Sequence, residues 1–300
     1  MLTRRGYLPA LPAIMIAALT AHAQSRSATA GRIDVTEIKV AADVNPRTQS
    51  IAAKANIKLR AVDDKVASAT FDLHNALTVI GVFDNTGGRI DSSRNSQEFS
   101  VRVTFEPPLA KGADKEIVVQ YEGKLTGAEE SPVYGIKFAA IKPEYTFLAY
   151  PARWFPVAGY TTDRYKSEFV ITTPAGYKVV SGGLDLPKQD GDKIVTTTTF
   201  SSDSFGGSLA IVQNEGKKVQ SGGVTSTIYF RGESAPAAEA WGEEAGKVLA
   251  MLTTQFGLAP SSNVVMVETE DGAPNGYAAP GMLFLSPKAI GKQANPKLLA

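Results

Sequence analysis

The chain has 300 residues, and its 31 lysines and arginines nearly balance its 30 aspartates and glutamates, leaving a net charge of +1. This balance gives no electrostatic argument for a nucleic-acid partner or for an anionic membrane surface. The complete absence of cysteine excludes thiol catalysis, thiolate-ligated zinc and iron–sulfur clusters from these residues. The length predicts about two domains.

The first 23 residues have the pattern of a signal peptide. Arg4 and Arg5 form a basic start, an apolar run follows over 8–19, and Ala21-His22-Ala23 fits the small-x-small cleavage pattern. The apolar run is too short to span a bilayer comfortably, so cleavage is favoured over an uncleaved anchor. We therefore expect an exported bacterial protein, periplasmic or secreted, with no transmembrane span after cleavage and with 24–30 as a short linker.

Residues 31–215 show the alternation typical of antiparallel sheets. Apolar and polar residues alternate over 51–60, 99–105 and 117–122, which places one face of each strand in a core and the other in water. Shorter β-prone runs, separated by Gly, Pro and Asn turn signals, occur over 69–74, 77–82, 169–172, 177–180 and 194–200. We predict a mainly β protein with an N-terminal antiparallel β-domain over 31–215.

The pattern changes near residue 220, where Ser221-Gly222-Gly223 is a predicted hinge or loop. A helix follows, with Ser234 as its expected cap and Gly257 after its end. Its apolar residues at helical spacing are Trp241, Ala245, Val248, Leu249, Leu252 and Phe256. Apolar strands are predicted over 264–267 and 282–286, so 222–300 has the pattern of the beginning of an α/β (α+β) domain.

The last residues resemble the first turn of another helix. Asn295 is a good N-cap, and Pro296 stands at the first helical position, where proline is favoured. Because short isolated helices are marginal, we expect the chain to belong to a longer protein. A frayed polar tail is the alternative.

Within the 300 residues we predict no catalytic and no metal-binding residue. His22 leaves with the signal peptide, and His74 is interpreted as a surface or turn residue, because a zinc site needs three or four ligands. Glu268, Glu270 and Asp271 follow a predicted strand and could serve acid–base chemistry. We interpret these three carboxylates as a solvated turn.

Three segments, taken in order, resemble the aminopeptidase N and leukotriene-hydrolase family of zinc metallopeptidases. Residues 152–156 read A-R-W-F-P, and the strand and the run 174–183 that follow are similar to the family's P-x-G-x-x-V-x-S-N-G segment. The helix ending at Gly257 and the strand over 264–267 are similar to the start of the family's catalytic domain. Residues 275–282 lie where the family has its G-x-M-E-N strand.

The resemblance implies a saddle-like β-domain followed by the beginning of a thermolysin-like catalytic domain, cut before its zinc-binding helix. In the family that helix carries H-E-x-x-H, whose histidines bind zinc while the glutamate activates a zinc-bound water. The resemblance therefore implies a peptide substrate and a zinc ion that the full-length protein binds beyond residue 300, with no zinc bound by these 300 residues.

The resemblance also places a substrate-binding strand at Gly276, Tyr277, Ala278 and Ala279, whose backbone can pair with an extended peptide. Ala278 stands where the family's glutamate holds the substrate's α-amino group, Ala279 stands at the following Asn, and the family's upstream Gln has no clear match in 144–150. Whether the enzyme trims ends, cuts internally or is inactive therefore stays open. An ordinary core strand with a Pro-Gly turn is the alternative for this segment.

Two other functions stay open. A catalytically inactive family member that acts as a binding or scaffold protein agrees with the missing glutamate and glutamine. An exported β-sandwich binding module, for example for carbohydrate, agrees with an aromatic platform of exposed Trp154, Tyr160 and Tyr165. Burial of these rings is the interpretation that we favour.

Overall fold

The computed structural model describes residues 31–127, 135–158, 163–258, 261–291 and 294–299. The predicted signal peptide and linker, together with Tyr160, lie outside the described residues. The described part of the chain is mainly β, as predicted, and it forms four sheets. None of its helices is long and apolar enough to cross a bilayer.

The β-domain contains fifteen described strands and one 3-10 turn, Pro151–Arg153. In chain order the strands are β1 (Ile33–Asn45), β2 (Ser50–Ala61), β3 (Val66–Asp72), β4 (Leu77–Asp84), β5 (Arg89–Ile90), β6 (Ser92–Asn95), β7 (Ser100–Leu109), β8 (Asp114–Lys124), β9 (Ala139–Ile141), β10 (Thr146–Leu148), β11 (Tyr165–Pro174), β12 (Lys178–Ser181), β13 (Leu184–Asp190), β14 (Lys193–Ser204) and β15 (Leu209–Val212).

The region after the β-domain, called the α/β region below, contains five described strands, two helices and two 3-10 turns. They are β16 (Lys217–Ser221), β17 (Val224–Tyr229), the turn Gly232–Ala237, α1 (Ala238–Phe256), β18 (Asn263–Glu268), β19 (Gly276–Ala279), β20 (Met282–Leu285), α2 (Pro287–Ile290) and the turn Pro296–Leu298. The side chain of Asn295 accepts the Lys297 N–H at 3.1 Å and so caps the last turn.

An eight-stranded sheet with the order β13-β14-β11-β1-β2-β8-β4-β5 forms one layer of the β-domain. Its pairs are antiparallel except for β1 and β11, which run parallel from the Glu37–Lys166 pair to the Asp43–Thr172 pair. A parallel pair needs a long crossover, and the chain between β1 and β11 supplies one. Buried and outward residues alternate along β2, as the sequence predicts.

The A-R-W-F-P segment lies in the core of the β-domain. Trp154 and Phe155 are fully buried, with ring centroids 4.8 Å apart, and the Trp154 Nε1–H donates to the Gly207 carbonyl at 2.9 Å. Tyr165 is buried as well. Burial, the favoured interpretation, is therefore confirmed for Trp154 and Tyr165, and neither ring belongs to an exposed platform.

The α/β region forms a five-stranded sheet with the order β16-β17-β18-β20-β19. β17, β18 and β20 are parallel, and α1 makes the crossover from β17 to β18. Trp241 is fully buried under α1, and its Nε1–H donates to the Ile290 carbonyl at 2.9 Å. This α/β arrangement agrees with the sequence prediction.

Two details of the predicted helix are wrong. Ser234 lies inside the 3-10 turn that precedes α1, so the helix begins at Ala238 without a side-chain cap. Phe256 is 80% exposed, because the buried residues of α1 end at Val248 and the apolar spacing continues beyond the part that packs on the sheet.

The β-domain and the α/β region share a hydrophobic core. Phe147 and Val180 from the four-stranded sheet β12-β15-β10-β9 pack in one buried cluster with Val267 and Phe284 from the five-stranded sheet. The two regions also meet at a glycine contact. A Cβ on Gly182 would overlap the Pro280 carbonyl oxygen and lie 2.8 Å from the Gly281 Cα. The close approach of these two backbones therefore requires glycine at 182.

Candidate functional site

The strand predicted to bind substrate is β19, and it forms one edge of the five-stranded sheet. It pairs in antiparallel register with β20, with Gly276 opposite Leu285 and Ala279 opposite Met282. Pro280 and Gly281 make the turn between the two strands. The far side of β19 is therefore a sheet edge, where a further extended strand can form backbone hydrogen bonds.

A cavity of ≈ 720 Å³ runs along β19, between the α/β region and the β-domain. This volume lies within the usual range for ligand sites. All four residues predicted to bind substrate, Gly276, Tyr277, Ala278 and Ala279, line the cavity. The other lining residues are Ile136, Phe138, Tyr150, Arg153, Arg164, Asp203, Ser204, Phe205, Pro274 and Pro280.

Aromatic rings from both regions form the floor of this cavity. The Tyr277 ring lies 5.8 Å from Phe138, 6.3 Å from Tyr150 and 6.3 Å from Phe284, measured between centroids. Tilted and edge-to-face pairs of this kind contribute about 0.5–1.5 kcal/mol each beyond their buried area. Tyr277 therefore fixes the position of β19 against the β-domain.

Two arginines lie on aromatic rings in the same lining. The Arg153 guanidinium is 5.8 Å from the Tyr150 centroid, and the Arg164 guanidinium is 6.0 Å from the Phe205 centroid. Tyr150 and Phe205 are themselves 5.8 Å apart, so the four side chains form a continuous series, called the arginine–aromatic row below. Each guanidinium also interacts with a carboxylate, Arg153 with Asp72 and Arg164 with Asp163.

The cavity lacks the carboxylate that the family resemblance associates with this strand. Ala278 and Ala279 contribute only methyl groups, and the carboxylate in the described lining is that of Asp203, near the end of β14. Sequence reasoning missed Arg164 and Asp203 as cavity residues. No local pattern marks them, because they reach the cavity only through the packing of the β-domain on β19.

The carboxylates at the end of β18 and just after it differ from the prediction in their burial. Glu268 and Glu270 are buried, so the solvated-turn interpretation is wrong for both of them, whereas the side chain of Asp271 is exposed as expected. Glu270 accepts hydrogen bonds from Lys142 and from the Tyr145 hydroxyl at 2.6 Å. Its burial follows from these partners, which the β-domain brings to the end of β18.

We call Glu270, Lys137, Lys142 and Tyr145 the Glu270 network. Lys137 lies 3.1 Å from the second carboxylate oxygen of Glu270, so each oxygen faces a cation. Desolvation opposes the charge on Glu270, but the hydrogen bonds from Lys142, Tyr145 and Lys137 outweigh it and hold its pKa below the usual range. Burial and the bond to Glu270 raise the pKa of Tyr145, so its hydroxyl stays a donor.

Arg231 extends the same interface. Its guanidinium stacks on the Tyr145 ring at 3.5 Å from the centroid, and its backbone N–H donates to Glu268 at 2.5 Å. Glu268, which ends β18, and Glu270, which follows it, therefore both have structural partners. We assign neither of them to acid–base catalysis.

His74 is a turn residue, as the sequence predicts, but it is buried and not at the surface. Its Nδ1 accepts the Ala76 N–H at 3.0 Å, and its ring lies 6.3 Å from Phe99. Across the described ranges, no group of three or more His, Cys, Asp or Glu side chains is arranged to hold a metal ion. These residues do not provide the ligand set of a zinc ion, so we assign none of them to metal binding.

No protein-family model matches the chain, and no curated protein matches its sequence. Solved structures match its fold. The M1 zinc metallopeptidase from Deinococcus radiodurans aligns with a TM-score of 0.68 at 17% identity, over 89% of this chain and 63% of that chain. A variant two-domain M1 zinc metallopeptidase bound to L-arginine aligns with the same values. A Deinococcus radiodurans variant bound to a Tyr-Ser-Ala substrate aligns with a TM-score of 0.65 at 16% identity, over 86% and 61%.

These comparisons define the class of fold. The described chain has the fold of the N-terminal β-domain of M1 zinc metallopeptidases and of part of the domain that follows it. The chain spans 63% of the length of the first structures it matches. At 17% identity the likeness concerns the fold alone, and activity is treated below as a proposal.

Proposed function

We propose that this chain forms the peptide-binding part of a zinc metallopeptidase-like hydrolase, in which an extended peptide adds to the edge of β19. The observation that carries the proposal is the position of β19. It is a sheet edge, and its four residues line a ≈ 720 Å³ cavity between two packed regions. The M1-like fold supports the same class of substrate, since a neighbour with that fold is described as bound to a Tyr-Ser-Ala substrate.

Strand addition explains how a segment with few polar side chains can bind a peptide. Backbone hydrogen bonds hold the peptide in register whatever its side chains, and each contributes about 0.5–1.5 kcal/mol. Successive peptide side chains then point to opposite faces of the new strand. One set faces the cavity and its aromatic floor, and the other set faces solvent.

The hydrolytic step belongs to the part of the proposal that concerns the full-length protein. Zinc would supply an activated water for attack on the peptide carbonyl, and its ligands would come from residues beyond Ala300. Reading the encoding gene past the codon for Ala300 tests this part. An H-E-x-x-H helix within the next turn or two is expected, and a coding sequence without it contradicts a catalytic role.

A catalytically inactive, peptide-binding family member is the second candidate, and the methyl groups at Ala278 and Ala279 favour it. Peptide cleavage by the purified full-length protein with stoichiometric zinc contradicts this candidate. The carbohydrate-binding alternative has lost two of its three proposed platform rings, because Trp154 and Tyr165 are buried.

We also propose that the protein is exported, on the basis of the signal-peptide pattern over 1–23. Determination of the N-terminus of the protein purified from its bacterial source tests this. A mature chain that begins at Gln24 is expected, and an intact N-terminus at Met1 contradicts cleavage.

Peptide binding is tested with a probe that changes only backbone donors. We expect an extended peptide to bind the chain in isothermal titration calorimetry. The same peptide N-methylated at alternate residues is expected to bind at least about tenfold more weakly, because each N-methyl removes a ladder hydrogen bond. Methylating the other alternate set is the matched control, since those amides point away from β19. Equal affinity for all three peptides contradicts strand addition.

A further inference from the structure

Aromatic rings from both regions of the molecule line the cavity beside β19. Phe138, Tyr150 and Phe205 come from the β-domain, and Tyr277 comes from β19. We call these four rings the ring cluster. Other apolar side chains of the lining are those of Ile136, Pro274 and Pro280. The cavity therefore offers a ligand a large apolar surface.

Tyr150 lies at the centre of the ring cluster. Its ring centroid is 5.7 Å from that of Phe138, 5.8 Å from that of Phe205 and 6.3 Å from that of Tyr277. Tyr150 is nearly buried, whereas the other three rings are only partly buried. These three rings therefore keep part of their surface available for contact with a ligand.

The two guanidinium groups of the lining already have carboxylate partners. Arg153 interacts with Asp72, and Arg164 interacts with Asp163. Asp203, the remaining charged side chain of the described lining, is exposed to solvent, which screens its charge. Selection of a ligand by this cavity therefore depends on apolar contact and not on a net charge.

The register of an added strand decides which peptide side chain reaches the ring cluster. The partly buried residues of β19 are Tyr277 and Ala279, and the exposed ones are Gly276 and Ala278. A peptide residue opposite Tyr277 lies on the same face of the sheet, with the two Cβ atoms about 4.5–5.5 Å apart. Because the Tyr277 ring contacts Phe138 at 5.8 Å, this peptide side chain points toward the ring cluster. The next side chain of the peptide points to the opposite face.

From this juxtaposition we propose that the cavity is a specificity pocket for one large apolar side chain, above all an aromatic one, on the peptide residue opposite Tyr277. The proposal rests on the proposed function, because it takes the peptide to add along β19. Burial of an apolar side chain is favourable in proportion to the area removed from water, and a ring gains further from edge-to-face contacts with the cluster. The ≈ 720 Å³ of the cavity leaves room for such a side chain.

The test uses isothermal titration calorimetry with unlabelled five-residue peptides, blocked at both ends and all alanine except at the centre. We expect the peptide with Phe at the centre to bind at least about tenfold more tightly than the one with Ala, and the one with Leu to fall between them. Peptides with Glu or Lys at the centre should bind no more tightly than the Ala peptide. A second Phe directly after the first should change the affinity by about twofold or less, because its side chain lies on the opposite face.

Substitutions of Phe205 assign the preference to the ring cluster. Phe205→Ala removes one ring and should lower the Phe-to-Ala affinity ratio at least about threefold. Phe205→Leu keeps most of the side-chain volume, which protects the fold, and it should lower the ratio less. Phe256→Ala is the matched control and should leave the ratio unchanged, because Phe256 is 80% exposed at the end of α1 and lies outside the cavity lining.

Two results with these variants contradict the assignment. A Phe-to-Ala affinity ratio that both Phe205 substitutions leave unchanged overturns the role of the ring cluster. An equal loss of affinity for the Phe and Ala peptides overturns it as well, because a specificity pocket discriminates between the two.

The outcomes separate this inference from the proposed function. Equal binding of the Phe, Leu and Ala peptides, with binding still weakened by N-methylation at alternate residues, overturns the specificity pocket and leaves peptide binding at β19 standing. Tighter binding of the Glu or Lys peptide than of the Phe peptide also overturns the pocket. A preference for Phe that N-methylation does not affect overturns strand addition, and the register opposite Tyr277 with it. Absence of binding by every peptide overturns both proposals together.

Discussion

The Glu270 network joins the β-domain to the α/β region, whereas all four residues of the arginine–aromatic row belong to the β-domain, and the two clusters place their charges differently. In the network, the two oxygens of a buried carboxylate face Lys137 and Lys142, so the negative charge of Glu270 is compensated within the protein. In the row, Arg153 and Arg164 lie on ring faces beside a cavity. The network therefore stabilises the contact between the two regions, whereas the row forms part of the cavity wall.

The largest expected effect is a break in the Glu270 network. Glu270→Gln leaves two lysines facing a neutral amide, and we expect a loss of about 2–4 kcal/mol in the free energy of unfolding. This loss is not expected to exceed the one seen when a fully buried ion pair is broken, because the side chains of Lys137 and Lys142 are each 27% exposed. Urea denaturation of the purified chain measures it.

Glu215→Gln is the matched control for this substitution. Glu215 pairs with Lys178 at 3.0 Å, but its side chain is 90% exposed. Exposed pairs contribute little, so a change below about 0.5 kcal/mol is expected. If both variants lose the same stability, the Glu270 network is not a special contact between the regions.

The glycine contact between the two regions gives the next largest effect. Gly182→Ala places a Cβ against the Pro280 carbonyl oxygen, so one backbone must move, at a cost of about 1–3 kcal/mol. In Gly276→Ala the added Cβ meets the Leu298 side chain at 3.5 Å, which is an ordinary contact. Denaturation midpoints compare the two variants. Equal midpoints contradict the close packing of the β19–β20 turn on the β-domain.

The Glu270 network also predicts a pH dependence. Because the pKa of Glu270 is lowered in the folded state, its stabilisation is complete above its unfolded pKa of about 4.3 and is lost as the pH falls through the folded value. The difference in the free energy of unfolding between the native chain and Glu270→Gln should therefore shrink as the pH falls from about 6 to about 3, a range that brackets the reference pKa of a glutamate. A difference that is constant over this range contradicts the charge on Glu270 as its source.

The smallest expected effect concerns end recognition on β19. Ala278→Glu places a carboxylate where the family resemblance puts one, and it should raise the affinity for a free α-amino peptide over its acetylated form by about fivefold. Ala278→Gln is the isosteric control without the charge, and it should leave that ratio near its native value. Calorimetry with the two peptides measures both, and equal ratios in the two variants contradict a charge effect at residue 278.

Much of the fold was predictable because alternation is a local property. The period-two pattern over 51–60 predicts β2, and the helix and apolar strands after residue 220 predict the beginning of an α/β (α+β) domain. The segment 276–279 was predicted as a substrate strand, and the structure places it at the cavity. Its binding role stays a prediction.

What sequence reasoning missed depends on contacts between distant residues. Glu270 reads as part of a polar turn, but its partners Lys142 and Tyr145 lie 128 and 125 residues away. Arg164 and Asp203 likewise stand in stretches with no distinctive motif. Phe256 shows the opposite error, since helical spacing predicts its burial and the layer beneath α1 ends before it.

Hydrogen exchange tests the central claim, that an extended peptide binds along β19, most directly. Backbone amides are followed in the free chain and with a saturating extended peptide. The account predicts new protection over 276–279 and over 203–205, which also line the cavity, while the network around Glu270 changes little. Unchanged exchange over 276–279, with protection appearing elsewhere in the chain, would contradict it.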